Sequence, residues 1–141
     1  MELPIRITDE ELMPTKGTKD AACYDLRAAR DTSIPPGESA IVGTGIYAAV
    51  PSGWALEILS RSGLASRGIV VGNSPGIVDS DYRGEIGIII RNTTNHFVMV
   101  NRGDRIAQCR LAPTYPFEFR CRDNLDSTER GAGGFGHTGV K

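Results

Sequence analysis

The sequence predicts an all-β fold, an antiparallel sandwich or barrel of the class to which jelly rolls belong. Two observations carry that prediction. Short apolar or alternating stretches recur along the chain, about ten of them at intervals of about 8 to 12 residues, each closed by turn-forming residues. With 17 glycines and 8 prolines among 141 residues, the chain is also broken too often to sustain a long helix.

Taken in order, residues 3–7 alternate and form a first strand, with Pro4 suited to an edge. Residues 8–20 are polar and read as a loop, within which residues 9–12 suit a helical turn. Residues 22–28 form a strand with one carboxylate, Asp25, embedded in it. After a turn at residues 35–37 come strands at 39–42 and 44–50, then a turn at 51–53. Residues 54–59 are almost wholly apolar, as in a strand covered on both faces, and they run into a helical turn at 60–65. A strand at 69–71 is answered by a return strand at 85–90, which puts Ile86, Ile88 and Ile90 on one face. Further strands follow at 96–100, 105–111 and 117–120, separated by turns at 92–95 and 101–104. Trp54, Phe97 and Met99 are expected in the core and His96 at the surface.

Composition limits what such a fold does. With 40% hydrophobic and 23% charged residues the chain suits one domain with one core. A net charge of -1 and a pI near 6.1 give no electrostatic reason to bind polymeric nucleic acid or a membrane. Of 16 basic residues only Lys16, Lys19 and Lys141 are lysines, and the other 13 are arginines. The guanidinium fork grips phosphate oxygens in pairs, so this bias permits a phosphorylated small ligand. Cys23, Cys109 and Cys121 are odd in number and lack metal-ligand spacing, which argues against a disulfide framework or a zinc site and suits a reducing compartment. The first residues lack a basic region followed by an apolar stretch, and no aliphatic run is long enough to span a bilayer. A soluble cytoplasmic protein is expected.

Four stretches could carry chemistry. Residues 72–86 are longer and richer than a hairpin connection requires, holding an amide (Asn73), two carboxylates (Asp79, Asp81) and a tyrosine (Tyr82). The run Ser60-Arg61-Ser62-Gly63 offers hydroxyls, a guanidinium and free backbone N–H groups to an anion, although serine capping of a helical turn would also explain it. Residues 103–108 read equally as a turn into a core strand or as part of a site. Residues 124–141, with five glycines between Arg130 and Gly139, read as a flexible arm following a core at 1–123 in the same domain. Phe135, flanked by glycines, has the freedom to close over a planar ligand.

Five blocks in order resemble those of the trimeric-type dUTPase family (deoxyuridine triphosphate nucleotidohydrolase). They are residues 22–28, 61–65, 72–86, 102–108 and 130–139, so the resemblance spans nearly the whole chain. It implies a β jelly roll, a homotrimer with active sites shared between chains, Mg²⁺ as cofactor, and hydrolysis of dUTP to dUMP and pyrophosphate. Asp25 would then help hold Mg²⁺ through a water. Arg61, Ser62, Gly63 and Gln108 would contact the phosphates. Asn73, Gly76 and Ile77 would read the uracil, and Tyr82 would pack under the deoxyribose. Asp79 would be the catalytic base, with Asp81 structural and paired to Arg83. From the arm, Phe135 would cover the uracil, with Arg130, Gly134, Gly136, His137 and Thr138 near the phosphates. The sequence departs little from the family, at Pro75 in the hairpin and at His137, where many members carry serine. Two other readings of the scaffold are a dCTP deaminase-type enzyme and a catalytically silent nucleotide-sensing regulatory protein.

Overall fold

A computed structural model describes residues 1–140 and shows an almost entirely β chain. Eleven strands follow one another: β1 (Ile5–Ile7), β2 (Tyr24–Arg27), β3 (Thr32–Ile34), β4 (Ser39–Gly43), β5 (Ile46–Ala48), β6 (Trp54–Leu59), β7 (Ile69–Val71), β8 (Gly76–Val78), β9 (Gly87–Asn92), β10 (Val98–Val100) and β11 (Arg105–Pro113). One α-helical turn, α1 (Ser62–Ala65), follows β6, and a 3₁₀ turn at Glu10–Leu12 is started by Asp9, whose Oδ1 accepts from Glu11 N at 3.0 Å.

Every strand pairing is antiparallel. The largest sheet runs β2-β11-β6-β8, a second runs β4-β9-β7, and the pairs β1-β5 and β10-β3 complete the architecture. Alternation does the sorting. Ile88 and Ile90 of β9, with Ile86 just before it, are buried, as are Leu56 and Ile58 of β6 and Val98 and Val100 of β10. These side chains meet Leu26, Ile34, Val42 and Ile106 in one apolar core. Glu57, between Leu56 and Ile58, turns outward and takes Arg110 Nε of β11 at 2.8 Å.

Phe117 and Phe119 alternate with polar residues, yet residues 117–120 form no strand: both rings are exposed and stack only on each other, 5.0 Å apart. Alternation supplies a face, but a strand also needs a hydrogen-bonding neighbour. Phe97 and Met99 are exposed rather than core, because β10 turns Val98 and Val100 inward instead. The strand expected at 44–50 shrinks to β5, because Thr44 and Gly45 form the turn from β4. Gly45 there has φ of +68°, a left-handed conformation open to glycine. Two short strands, β3 and β8, are additional to those the sequence pattern predicts.

β8 matters most for the site. The chain leaves β7, which pairs with β9 in one sheet, and after the cis Ser74–Pro75 peptide enters β8, which pairs with β6 in the other. Residues 72–86 are therefore a crossing between two sheets rather than a simple hairpin. Its return is fastened by Glu85, whose Oε1 accepts from Gly45 N at 2.9 Å, and by Ile86, whose N donates to Ile46 O at 2.8 Å.

Candidate active site

The outer face of the largest sheet carries a cleft of about 380 Å³ where β2, α1 and β11 converge. Asp25 stands at its base on β2. The long loop after β1 returns to clamp this residue, with Asp25 N donating to Thr15 O at 2.7 Å. Its carboxylate is largely buried and held from two sides, Oδ1 by Arg61 Nε at 2.9 Å and Oδ2 by Arg105 Nη1 at 3.2 Å. Arg61 also donates from Nη1 to Arg105 O at 3.0 Å, so its guanidinium is fixed in plane across the cleft wall. Ser62 and Gly63 open α1 beside it, and Gln108 extends from β11 to donate from Nε2 to Ser60 O at 2.9 Å.

The crossing at 72–86 builds a second region. Asp79 follows β8 directly and shares a small cleft with Ile77, Tyr82 and Glu85. Tyr82 is half exposed, and its hydroxyl donates to Glu85 O at 2.9 Å, which sets the ring across the loop. A still smaller recess beside it is lined by Asn73, Gly76 and Ile77. Gly76 is buried against Ile58, and Asn73 crowds the place a Cβ would take, so a larger residue would displace the amide. The expected Asp81–Arg83 pair does not form. Arg83 instead donates from Nη1 to Ser80 O and Tyr82 O, at 2.7 and 2.8 Å, because the tight loop turns these carbonyls toward it.

The residues named from sequence thus fall into three groups within one chain. Asp25, Arg61, Ser62, Gly63 and Gln108 come together, and so do Asn73, Gly76, Ile77, Asp79 and Tyr82, but the two clefts share no lining residue. Arg130, Gly134, Phe135, Gly136, His137 and Thr138 form the third group, which carries turns but no strand or helix. Among the described residues, hydrogen bonds of this arm stay inside it, as when Arg130 Nε donates to Gly133 O at 2.9 Å. Phe135 is fully exposed with φ of +53°.

One charged group at the site is given no role by the sequence. Arg105 lay unremarked inside the fourth block, and the strand period that would place it in the core also hid it. Ser60, read from sequence only as a hydroxyl of the anion-binding run, ties the two regions together: its N donates to Ser74 Oγ at 3.2 Å, its Oγ accepts from Val71 N at 2.9 Å, and its carbonyl takes Gln108. Behind the cleft, on the core face of β11, burial pushes the Cys109 thiol up to about 12, with the nearby Cys23 and Asp25 charges adding to it. That cysteine is a packing residue. Cys23, Cys109 and Cys121 are all free thiols.

The dUTPase family profile matches residues 9–139. A deoxyuridine 5'-triphosphate nucleotidohydrolase of Nautilia profundicola is 44% identical over 141 residues, covering 99% of both chains. The chain belongs to the dUTPase family. A second relative with that enzyme name, from Helicobacter pylori, is 43% identical over 136 residues, covering 96% of this chain and 94% of its own. Among solved structures, the dUTPase of Staphylococcus bacteriophage 80alpha with dUPNHPP superposes with a TM-score of 0.88 at 26% identity and 99% coverage of each chain. The dUTPase of Streptococcus mutans gives 0.76 at 31% identity, covering 84% of this chain and all of that one. The jelly roll of these dUTPases is the fold of this chain.

Proposed function

We propose that the protein hydrolyses dUTP to dUMP and pyrophosphate, by attack of water on the α-phosphorus. The observation that carries this reading is the cleft at Asp25, in a chain of the dUTPase family. Two arginines, a serine hydroxyl and an amide converge there on a space that suits a triphosphate. Phosphoryl transfer asks chiefly for positioning and charge neutralisation, which guanidinium groups supply. In this reading Arg61, Ser62 and Gly63 grip the phosphate chain and Gln108 sits near the α-phosphate. Asp79 holds and deprotonates the attacking water. Asn73, with the backbone of Gly76 and Ile77, pairs with the uracil edge, so that a cytosine would leave buried polar groups unpaired. Tyr82 packs under the deoxyribose and disfavours a 2′-hydroxyl.

Magnesium fits the cleft as an ion that arrives with the triphosphate. Among the described residues no three of His, Cys, Asp and Glu gather into a cage, and Asp25 is a lone carboxylate. Mg²⁺ keeps several waters and binds through one or two carboxylates plus substrate phosphates, which matches that donor set. Asp25 would hold it through one of those waters, and the ion would neutralise charge on the phosphate oxygens.

Because the two clefts are separate in one chain, a working site draws the 72–86 crossing and the Asp25 cleft from different copies of a homotrimer. Residues 124–141 serve as a lid on the 1–123 core, with Phe135 over the uracil and Arg130, Gly134, Gly136, His137 and Thr138 toward the phosphates. No helix among the described residues is long and apolar enough to cross a membrane, and the cytoplasm, with its nucleotide pool, is the place for this activity.

The test is pyrophosphate release from dUTP, dCTP, dTTP and UTP, with and without EDTA, by the wild-type chain and by Asp79→Asn. Turnover of dUTP above the other three is expected, together with a fall of at least about 10²-fold in Asp79→Asn, as general-base removal typically gives. Equal rates on all four nucleotides would refute the specificity. Ammonia release from dCTP would replace the hydrolase with a deaminase, and near-normal turnover by Asp79→Asn would remove that residue from its role.

A further inference from the structure

The cleft holds one charged side chain to which the resemblance gives no role. In a regular strand residues two apart share a face, so Arg105 would follow Ala107 and Cys109 into the core. It does not, because the pairing of β11 with β2 shifts register between Arg105 and Ala107. Ile106 and Ala107 both become buried, and Arg105 is turned to the face of Gln108 and Asp25. A bulge of this kind re-aims a side chain, and this one is held firmly. Ala28 N donates to Asp104 O at 2.9 Å, Gly103 N to Ala28 O at 2.8 Å, and Arg27 Nη1 to Gly103 O at 2.9 Å. The backbone is pinned while the Arg105 side chain stays 47% exposed.

The two arginines on Asp25 are unequal. Arg61 is the more buried, is tied at two nitrogens and holds Oδ1 at 2.9 Å. Arg105 holds Oδ2 through a single nitrogen at 3.2 Å, and its side chain makes no other hydrogen bond among the described residues. Apart from these three residues the cleft is lined by uncharged side chains, so it carries one excess positive charge.

We infer that Arg105 is a phosphate-binding residue held ready by Asp25. When a triphosphate enters, the guanidinium leaves Oδ2 and takes phosphate oxygens, and the released carboxylate oxygen turns to the cation the substrate brings. Each charge is exchanged for one of the same sign, so neither the arginine nor the carboxylate is left unpaired. The inference rests on reading this cleft as the triphosphate site.

The experiment is calorimetric titration with inorganic tripolyphosphate as its Mg²⁺ complex, using wild type, Arg105→Gln, Arg105→Met (which keeps the apolar stem) and Arg105→Lys, with thermal melting of each. Neutral replacements are expected to bind about tenfold more weakly and lysine to recover most of that, since charge-assisted bonds carry the contact. In turnover, Arg105→Gln should raise KM for dUTP by a similar factor with kcat little changed and no added Mg²⁺ requirement. Unchanged tripolyphosphate affinity in both neutral variants would overturn the inference. So would intact affinity with a Mg²⁺ requirement raised about tenfold, the mark of a residue that only orients Asp25. A wild-type chain that binds tripolyphosphate but leaves dUTP intact would defeat the hydrolase reading and leave the role of Arg105 standing.

Discussion

At the scale of single residues, Asn92 and Cys109 show how a small β domain treats polar atoms it cannot expose. Asn92 is fully buried, and its Nδ2 is within donating reach of Ile34 O, Pro35 O and His96 O, while Oδ1 accepts from Thr94 N and Oγ1. It thereby ties the end of β9 to the turn after β3, and each of those carbonyls would be costly to bury unpaired. Cys109 takes the other course and stays neutral. Burial raises its pKa from 9.0 to about 12, so the folded chain holds the thiol proton where the unfolded chain has lost it. The sign follows from proton linkage. Where the native state binds more protons, stability falls as pH rises. The contribution is complete below pH 9 and is lost progressively as pH climbs towards 12. Equilibrium denaturation between pH 8 and 11 is therefore expected to show a declining midpoint that is shallower in Cys109→Ala, and equal slopes would refute the assignment. A thiol reagent at pH 8 should modify the exposed Cys121 and spare Cys109.

Elements behave according to whether they find partners. A truncation ending at residue 123 follows from the arm's isolation: its described hydrogen bonds are internal, and the strands and core lie before it. The shortened chain should keep a melting temperature close to that of the full chain yet lose at least about tenfold in kcat/KM for dUTP, because a lid excludes bulk water and completes the site. Full activity after truncation would end the lid reading. The same dependence on partners decides what the sequence could reveal. Strands such as β6 and β9 were legible because Leu56, Ile58, Ile88 and Ile90 record a buried face in the residue pattern itself. β3 and β8 were not, since Thr32-Ser33-Ile34 and Gly76-Ile77-Val78 hold only one and two apolar side chains, whereas the equally short β7 is aliphatic throughout. Residues 117–120 were over-read for the opposite reason, a clear pattern with no neighbouring strand. Asp25 and Arg61 could be named as site residues from the blocks, but their direct pairing spans 36 positions and no local rule predicts it. Arg105 was obscured by a bulge that reverses the face its strand period assigns.

For the whole molecule, the separation of the two clefts has a consequence that single-site variants cannot expose. Arg61→Gln disables the Asp25 cleft and leaves the 72–86 crossing intact, while Asp79→Asn does the reverse. If one chain supplied both halves of each site, a mixture of the two variants would be as inactive as either alone. If a cyclic homotrimer builds each site from the crossing of one copy and the cleft of its neighbour, some sites regain both intact halves. With random assembly from equal amounts, half of the crossings and half of the clefts are intact, so about a quarter of sites should be whole. Co-refolding the two inactive variants is expected to restore dUTP turnover to about that fraction of wild type, with sedimentation reporting a species of three chains. Mixing without refolding should restore nothing at first, because pre-formed trimers must exchange subunits before new sites arise. A co-refolded trimer with no recovered turnover would show that the crossing and the cleft of one chain meet in the same site. It would then require a rearrangement of residues 72–86 away from the pairing of β8 with β6.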